Sequence, residues 1–179
     1  ATVSDATVIG ANLSQADAFG ATFQGSKLSH SNLTQTILTA ANLSCCDLSA
    51  AHLEQTLLDQ ASLADACVVG ANMGQIHSDL TCTNFSNVKF DPGTKFNGFV
   101  LHKANLHNTW LLGADLSYAD FKGATLTDTV LTGANLLGAK LDASELVLAN
   151  RDLSGCTLSG LDLNGMYLTC FIMKGCNLH

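Results

Sequence analysis

Between Ile76 and Cys82 the chain reads Ile76-His77-Ser78-Asp79-Leu80-Thr81-Cys82, which puts an imidazole, a carboxylate and a thiol within one short stretch. These are the donor types that hold zinc and its neighbours, but zinc sites set like ligands at short fixed spacings that this stretch does not have. A second pair, His102 and His107, stands five residues apart beside Lys103 and Asn105 and reads as two ordinary solvent-facing histidines. Seven cysteines make an odd set without a Cys-x-x-Cys spacing, against both a disulfide framework and a zinc site. Cys156 and Cys176 lie twenty residues apart and are read as reduced. Serine, aspartate and histidine are so frequent that triad-like proximities arise by chance. No catalytic residue, cofactor or metal is therefore assigned, and no small-molecule substrate is evident.

What would have to position any such group is a repeat. An apolar residue recurs every fifth position in 35 units, from Val3, Val8 and Leu13 to Leu168, Met173 and Leu178, and 24 of these centres are Leu. Helical faces repeat near 3.6 and strand faces at 2, so a strict five requires short extended pieces separated by corners. The residue two before each centre is Ala, Ser, Thr, Cys or Val in 30 units. Two apart on an extended piece means the same side, so centre and small partner face inward and the other three positions face water. Cys46, Cys156 and Cys176 take the small inward position, where a thiol behaves as a small hydrophobe.

The register slips three times: Met73 to Leu80, Phe90 to Phe96 across Asp91-Pro92-Gly93, and Leu146 to Leu153. Loops are expected near 74–79, 91–95 and 147–152 within one domain spanning 1–179. Phe99, Arg151, Leu161, Met166 and Phe171 occupy small positions, where a large group should widen or distort its coil.

Charge is −7 overall and uneven. Up to Asn87 seven acids face Lys27 alone, giving −6, whereas eight acids and seven bases follow, giving −1. A basic footprint for direct nucleic-acid binding is missing. No apolar run reaches membrane-spanning length, so the chain reads as soluble. Cysteine usage favours the cytoplasm; the chain begins at Ala1 without Met, and a removed leader would instead imply the thylakoid lumen or periplasm.

Written in fives, the chain runs Ala11-Asn12-Leu13-Ser14-Gln15, Ala41-Asn42-Leu43-Ser44-Cys45, Ala114-Asp115-Leu116-Ser117-Tyr118 and Ala134-Asn135-Leu136-Leu137-Gly138. This resembles the pentapeptide-repeat family, in its bacterial, cyanobacterial or plastid style, over essentially the whole length. The resemblance implies an all-β fold, a right-handed quadrilateral parallel β-helix with four units to a coil and about eight to nine coils in this chain. Gln15, Gln35, Gln55 and Gln75 recur every twenty residues, which in such a fold would stack them as an amide ladder.

Outward positions are not dictated by the fold and so carry the functional expectation. On one face these include Ile9, Val69, Trp110, Leu112, Val130 and Ile172, with Trp110, Leu112 and Val130 expected on neighbouring coils as an apolar contact patch. The set Val69, Trp110, Leu112, Val130 and Ile172 is the candidate surface for a protein partner or for self-association. The opposite face carries Asp17, Asp59, Asp79, Asp120, Asp142 and Asp162, interrupted by Ile37, Leu57, Val100, Lys103, Lys122 and Lys140. The expected role is a non-enzymatic scaffold presenting flat faces to proteins. The alternative that the resemblance implies is that of the quinolone-resistance members, rods that imitate DNA and bind type II topoisomerases, a role that needs acidic charge continuous along the rod.

Overall fold

The computed structural model describes residues 1–74, 79–141, 152–160 and 171–178. Gln75, His77, Asp142, Arg151, Leu161, Asp162 and Met166 lie outside these residues. The chain is a right-handed quadrilateral β-helix in which each unit contributes one side of a square coil.

Each unit turns its corner in one way. In the first coil the Ala16 amide donates to the Leu13 carbonyl at 3.1 Å, and Gln15 at the third place of that turn has φ of 62°. A one-to-four bond with positive φ only at the third residue is a type II turn. The same corner position has φ between 52° and 81° along the chain, whether filled by glycine or by Ala40, Cys45, Lys103 or Tyr118.

Between corners only one residue per side forms a parallel bridge, always to the residue one coil away. Four columns result, and they define the faces. Face I runs through Thr2, Thr22, Asn42, Ser62, Asn84, Asn105 and Thr125. Face II contains Thr7, Lys27, Asp47 and Cys67, then Lys89, Trp110 and Val130. Face III contains Asn12, Asn32, His52 and Asn72, then Lys95, Asp115, Asn135, Thr157 and Asn177. Face IV contains Asp17, Ile37 and Leu57, then Asp79, Val100, Asp120 and Lys140. Coils are numbered from the first, so that Trp110 and Asp120 belong to coil six. The bridge offset is 20 residues in the first coils, 22 from Ser62 to Asn84, 21 from Lys89 to Trp110 and 22 from Asn135 to Thr157. At about 4.8 Å per coil, eight to nine coils make a rod of roughly 40 Å.

The centres stack inside. Leu28, Leu38, Leu43, Leu48, Leu53, Leu58 and Leu63 are fully buried, and each contributes about 1.5–3 kcal/mol of transfer free energy. In coil five the leucine stacks give way to Phe85, Phe90, Phe96 and Phe99, with centroids 5.0–6.4 Å apart in edge-on pairs. Phe99 fills a small position, yet it is buried in this cluster and its carbonyl still accepts the Asp120 amide at 2.8 Å. The ladder continues past it because Phe99 shares the bulk of its neighbours. Phe171 is half-buried against the core.

The small inward residue does more than leave room. Where it is Ser, Thr or Cys, its side chain usually donates to the carbonyl of a centre one coil earlier, Thr36 to Leu13 at 2.8 Å, Thr83 to Leu58 at 2.8 Å and Thr109 to Phe85 at 2.8 Å, whereas Thr94 at a register slip donates to the nearby Asp91 carbonyl. Those carbonyls already accept one corner amide, so the ladder satisfies their second lone pair in a dry interior. The consensus Asn or Asp before the centre also has a local task. Asn12 Oδ1 accepts the Ser14 amide, Asp47 Oδ1 the Ser49 amide and Asn84 Oδ1 the Ser86 amide, each at 3.0 Å, closing the Asx turns that start each corner.

Candidate protein-contact face

Face II carries the sequence-predicted surface, and its geometry follows from the columns. Trp110 is bridged to Lys89 below and Val130 above, with its amide donating to Val88 O at 2.9 Å and its carbonyl accepting the Phe90 amide at 3.1 Å. The indole therefore projects from a backbone held on both sides. It is 39% exposed, and the Lys89 ammonium lies 4.3 Å from the ring centre in a cation–π contact. Leu112, two residues along the same side, and Val130 are half-buried beside it. These three form one contiguous strip on coils six and seven.

Val69 and Ile172 do not join it. Val69 is 56% exposed on coil four, and the fifth coil between it and Trp110 presents Lys89 and Asp91. Ile172 is 50% exposed and bridged to Asp152, so a polar coil separates it from Val130. Among the described residues no backbone hydrogen bond joins coils four and five on face II. Instead Asp91 Oδ2 accepts the Gly70 amide at 2.7 Å, so the acid that divides the apolar residues also bridges this break.

The other groups with chemical potential are occupied locally. Cys46 and Cys156 are buried, which pushes each thiol up to about 11, and each donates to a carbonyl, Phe23 O at 2.9 Å and Leu131 O at 3.0 Å. Cys176 does the same to Leu153 O at 2.7 Å, so the two sulfurs twenty residues apart are both engaged by backbone and free of a disulfide. On face IV, His102 Nε2 lies 3.0 Å from Asp120 Oδ1, and Lys140 Nζ lies 3.5 Å from Asp120 Oδ2. Burial alone would raise the Asp120 carboxyl, but the His102 contact, the Lys122 amide and the nearby Lys140 charge outweigh it and hold the group below its usual range. His107 Nδ1 is 3.2 Å from Thr127 O and is not near His102's partner. Among the described residues no group of three or more His, Cys, Asp and Glu could hold a metal ion, and His77 of the first motif lies outside them.

Inside the coil, the void lined by Phe85, Phe96, Leu101, Leu106, Leu111 and Leu116 does not admit a water molecule. The larger hollows are open and shallow: one of about 390 Å³ between Asp120, Lys122 and Lys140, and one of about 280 Å³ beside Pro92 and Lys95. No helix among the described residues is long and apolar enough to cross a membrane.

Sequence reasoning missed two features that shape the surface. The Asx turns fix the outward Asn and Asp side chains against their own backbone. The amide ladder extends beyond glutamine: Gln15 donates to Gln35 at 2.9 Å and Gln35 to Gln55 at 2.6 Å, while Asn108 donates to Asn87 at 3.1 Å and Asn87 to Asp65 at 2.9 Å. Gln75 lies outside the described residues. The second ladder interleaves Asp and Asn across a register slip, so no fixed period reveals it.

Comparison with known proteins places the chain. Among solved structures it is similar to QnrB1, a plasmid-mediated fluoroquinolone resistance protein, at 18% identity and TM-score 0.56, covering 100% of this chain and 84% of that one. It also matches HetL, a pentapeptide-repeat protein involved in heterocyst differentiation regulation from the cyanobacterium Nostoc, at 24% identity and TM-score 0.36, covering 98% of this chain and 86% of that one. A pentapeptide-repeat protein of the Arabidopsis thaliana thylakoid lumen matches at 20% identity and TM-score 0.34, covering 72% and 66%. No curated protein matches. The family model for pentapeptide repeats matches eight copies over residues 1–35, 36–75 and 111–146, and with the square coil and its five-residue corners this makes the chain a member of the pentapeptide-repeat family.

Proposed function

We propose that this protein is a non-enzymatic scaffold: one continuous β-helix domain, with loops at its three register slips, that binds another protein through face II. The observation that carries the reading is the strip of Trp110, Leu112 and Val130. An indole on a rigid ladder loses little conformational entropy on binding, and it offers both apolar area and an N–H donor. The remaining faces are mainly polar, with Ile37, Leu57 and Val100 interrupting the column of face IV. Val69 and Ile172 are secondary positions at the two ends of the same face.

The topoisomerase-binding reading has less support. Its requirement is unbroken negative charge along the rod, and face IV interrupts its acids with Ile37, Leu57, Val100 and Lys140. Likeness in fold to QnrB1 at 18% identity does not carry that protein's role across.

Trp110→Ala tests the scaffold reading. The substitution removes a surface ring whose backbone bonds stay intact, so thermal stability should change by less than about 1 kcal/mol while partner capture or self-association falls. Unchanged association with unchanged stability would remove face II as the contact surface. Inhibition or protection of gyrase supercoiling by the unaltered protein would instead favour the DNA-mimic reading.

A further inference from the structure

We infer that the rod carries a one-sided hinge between coils four and five, held along faces I and IV and opening at the corner between faces II and III, with the Asp91 carboxylate as its latch. The inference does not depend on what the Trp110 strip binds.

A full joint between coils is seen on either side of this place. The centre amides of coils one, two, five and six donate to the next coil on all four faces; from coil five these are Phe85 to Asn105 O at 2.8 Å, Phe90 to Trp110 O at 3.1 Å, Phe96 to Asp115 O at 2.8 Å and Leu101 to Asp120 O at 2.7 Å. Coil three keeps three of the four, through Leu43, Leu48 and Leu53. From coil four only two remain, Leu63 to Asn84 O at 2.7 Å on face I and Leu80 to Val100 O at 2.8 Å on face IV. The Val68 amide on face II has no backbone acceptor among the described residues, and the Met73 amide on face III turns back to Ala71 O at 3.1 Å. Among the described residues neither Cys67 and Lys89 nor Asn72 and Lys95 form the bridge that continues their columns.

The corner column shows that the coils stand apart on this side. A Cβ added to Gly113, Gly133 or Gly155 would meet the glycine one coil earlier at 3.7, 3.7 and 3.6 Å, whereas one added to Gly93 meets nothing within 4 Å. The open hollow of about 280 Å³ lies here, between Met73 and Gly74 of coil four and Pro92, Gly93 and Lys95 of coil five. Across it the Gly70 amide donates to Asp91 Oδ2 at 2.7 Å, a side chain standing where other corners use a backbone carbonyl. The far end of that link is fixed to the upper half: the Gly93 amide donates to Leu112 O at 3.0 Å, and the Thr94 amide and hydroxyl donate to Asp91 O at 3.2 and 2.6 Å.

Behind the open side lie Val68, Met73, Phe90 and Phe96, each no more than 5% exposed, so side-chain packing and one carboxylate close a joint that the ladder does not. A stack of repeats is held by neighbour-to-neighbour interfaces, and the joint with half its ladder is where local opening starts. The bonds that remain flank the corner shared by faces I and IV, with Asp65 donating to Ser86 O at 2.9 Å and Cys82 to His102 O at 2.8 Å. Opening is therefore a rotation about that edge. It swings Val69 on the lower half away from Trp110 on the upper half, so the hinge sets the spacing along face II.

Thiol labelling under native conditions, with the label located by peptide mass mapping, tests this. Met73→Cys and Phe90→Cys place a thiol behind the open side, and Leu63→Cys and Leu80→Cys place one behind the held sides of coil four, each rate being set against that variant's own global stability. The first pair should label roughly tenfold faster or more, at rates that barely respond to dilute guanidinium, because local opening exposes little surface. Asp91→Ala should accelerate Met73→Cys by about tenfold, as expected for loss of a charge-assisted hydrogen bond, and leave Leu63→Cys unchanged. Asp91→Asn retains an oxygen acceptor and should accelerate it less, with thermal melts checking that every variant is folded. Equal labelling behind all four faces overturns the inference. So does labelling that follows the denaturant slope of global unfolding, or a Met73→Cys rate indifferent to Asp91→Ala.

Discussion

Thr109→Val separates two accounts of the small inward position. Thr109 is fully buried, and its hydroxyl donates to the Phe85 carbonyl at 2.8 Å while that carbonyl also accepts the Val88 amide at 3.1 Å. Valine keeps the branch and nearly the volume but cannot donate. If the position requires only smallness, a methyl in a dry interior should leave stability unchanged or raise it. If the donor matters, the carbonyl loses its second partner but retains the first, so the cost should be about 1 kcal/mol. For a chain of this size that corresponds to a fall in Tm of about 2–4 °C. Guanidinium unfolding followed by circular dichroism measures it, with an unchanged m-value showing that only stability moved. Thr129→Val repeats the test, since Thr129 donates to Leu106 O at 2.8 Å. Valine variants as stable as the parent at both sites would refute the hydrogen-bond account and leave the size account standing.

Two further outcomes follow from the corners and the Asx turns. Gly138→Ala should destabilise more than Gly98→Ala in the same corner column: both have positive φ, but an added Cβ at Gly138 would lie 2.9 Å from the Tyr118 ring whereas at Gly98 it meets nothing. Backbone strain of about 1 kcal/mol is common to both, and the excess should vanish in a Tyr118→Ala background, as a double-mutant cycle in denaturant can measure. Asp47 is held below its usual 3.8 by hydrogen bonds from the Ser49 hydroxyl and then its amide. A depressed carboxylate contributes stability above its unfolded value and loses it as pH falls through the folded one. Asp47→Asn keeps the acceptor, so stability near neutrality should hold while the loss on acidification below about pH 4 becomes shallower in acid titrations of Tm.

The fold was legible because it depends on two positions in five. Leu43, Leu116 and Leu136 are buried, and Gln15, Gln35 and Gln55 stack, because a coil of four units brings every twentieth residue into contact. The Thr109 hydroxyl was not legible. Its acceptor is 24 residues away, that of Thr36 is 23, and that of Thr83 is 25, so the bond has no fixed offset once the register slips. Composition groups Thr with Ala as small and hides the difference. Asn and Asp before each centre were legible as a consensus but read as surface charge, when their oxygens are already committed to the next amide but one.

Where a contact surface sits is harder to read, for a reason built into the coil. The centre and the small residue belong to the core, the residue before the centre is often committed to its Asx turn, and the corner residue is restricted to positive φ. What remains free to vary is the residue after the centre and the tip of the one before it. Neighbours on a surface are therefore twenty or more residues apart in sequence, and a slip of one or two residues changes which side chains share a face. Trp110 and Val130 could be paired by counting because no slip separates them. Val69 and Trp110 could not, since the slips near 74–79 and 91–95 intervene and Asp91 turns back to the Gly70 amide between them. Face IV shows the same limit: Asp17, Ile37, Leu57, Asp79, Val100, Asp120 and Lys140 follow one another coil by coil, yet each is 20 to 22 residues from the next in sequence.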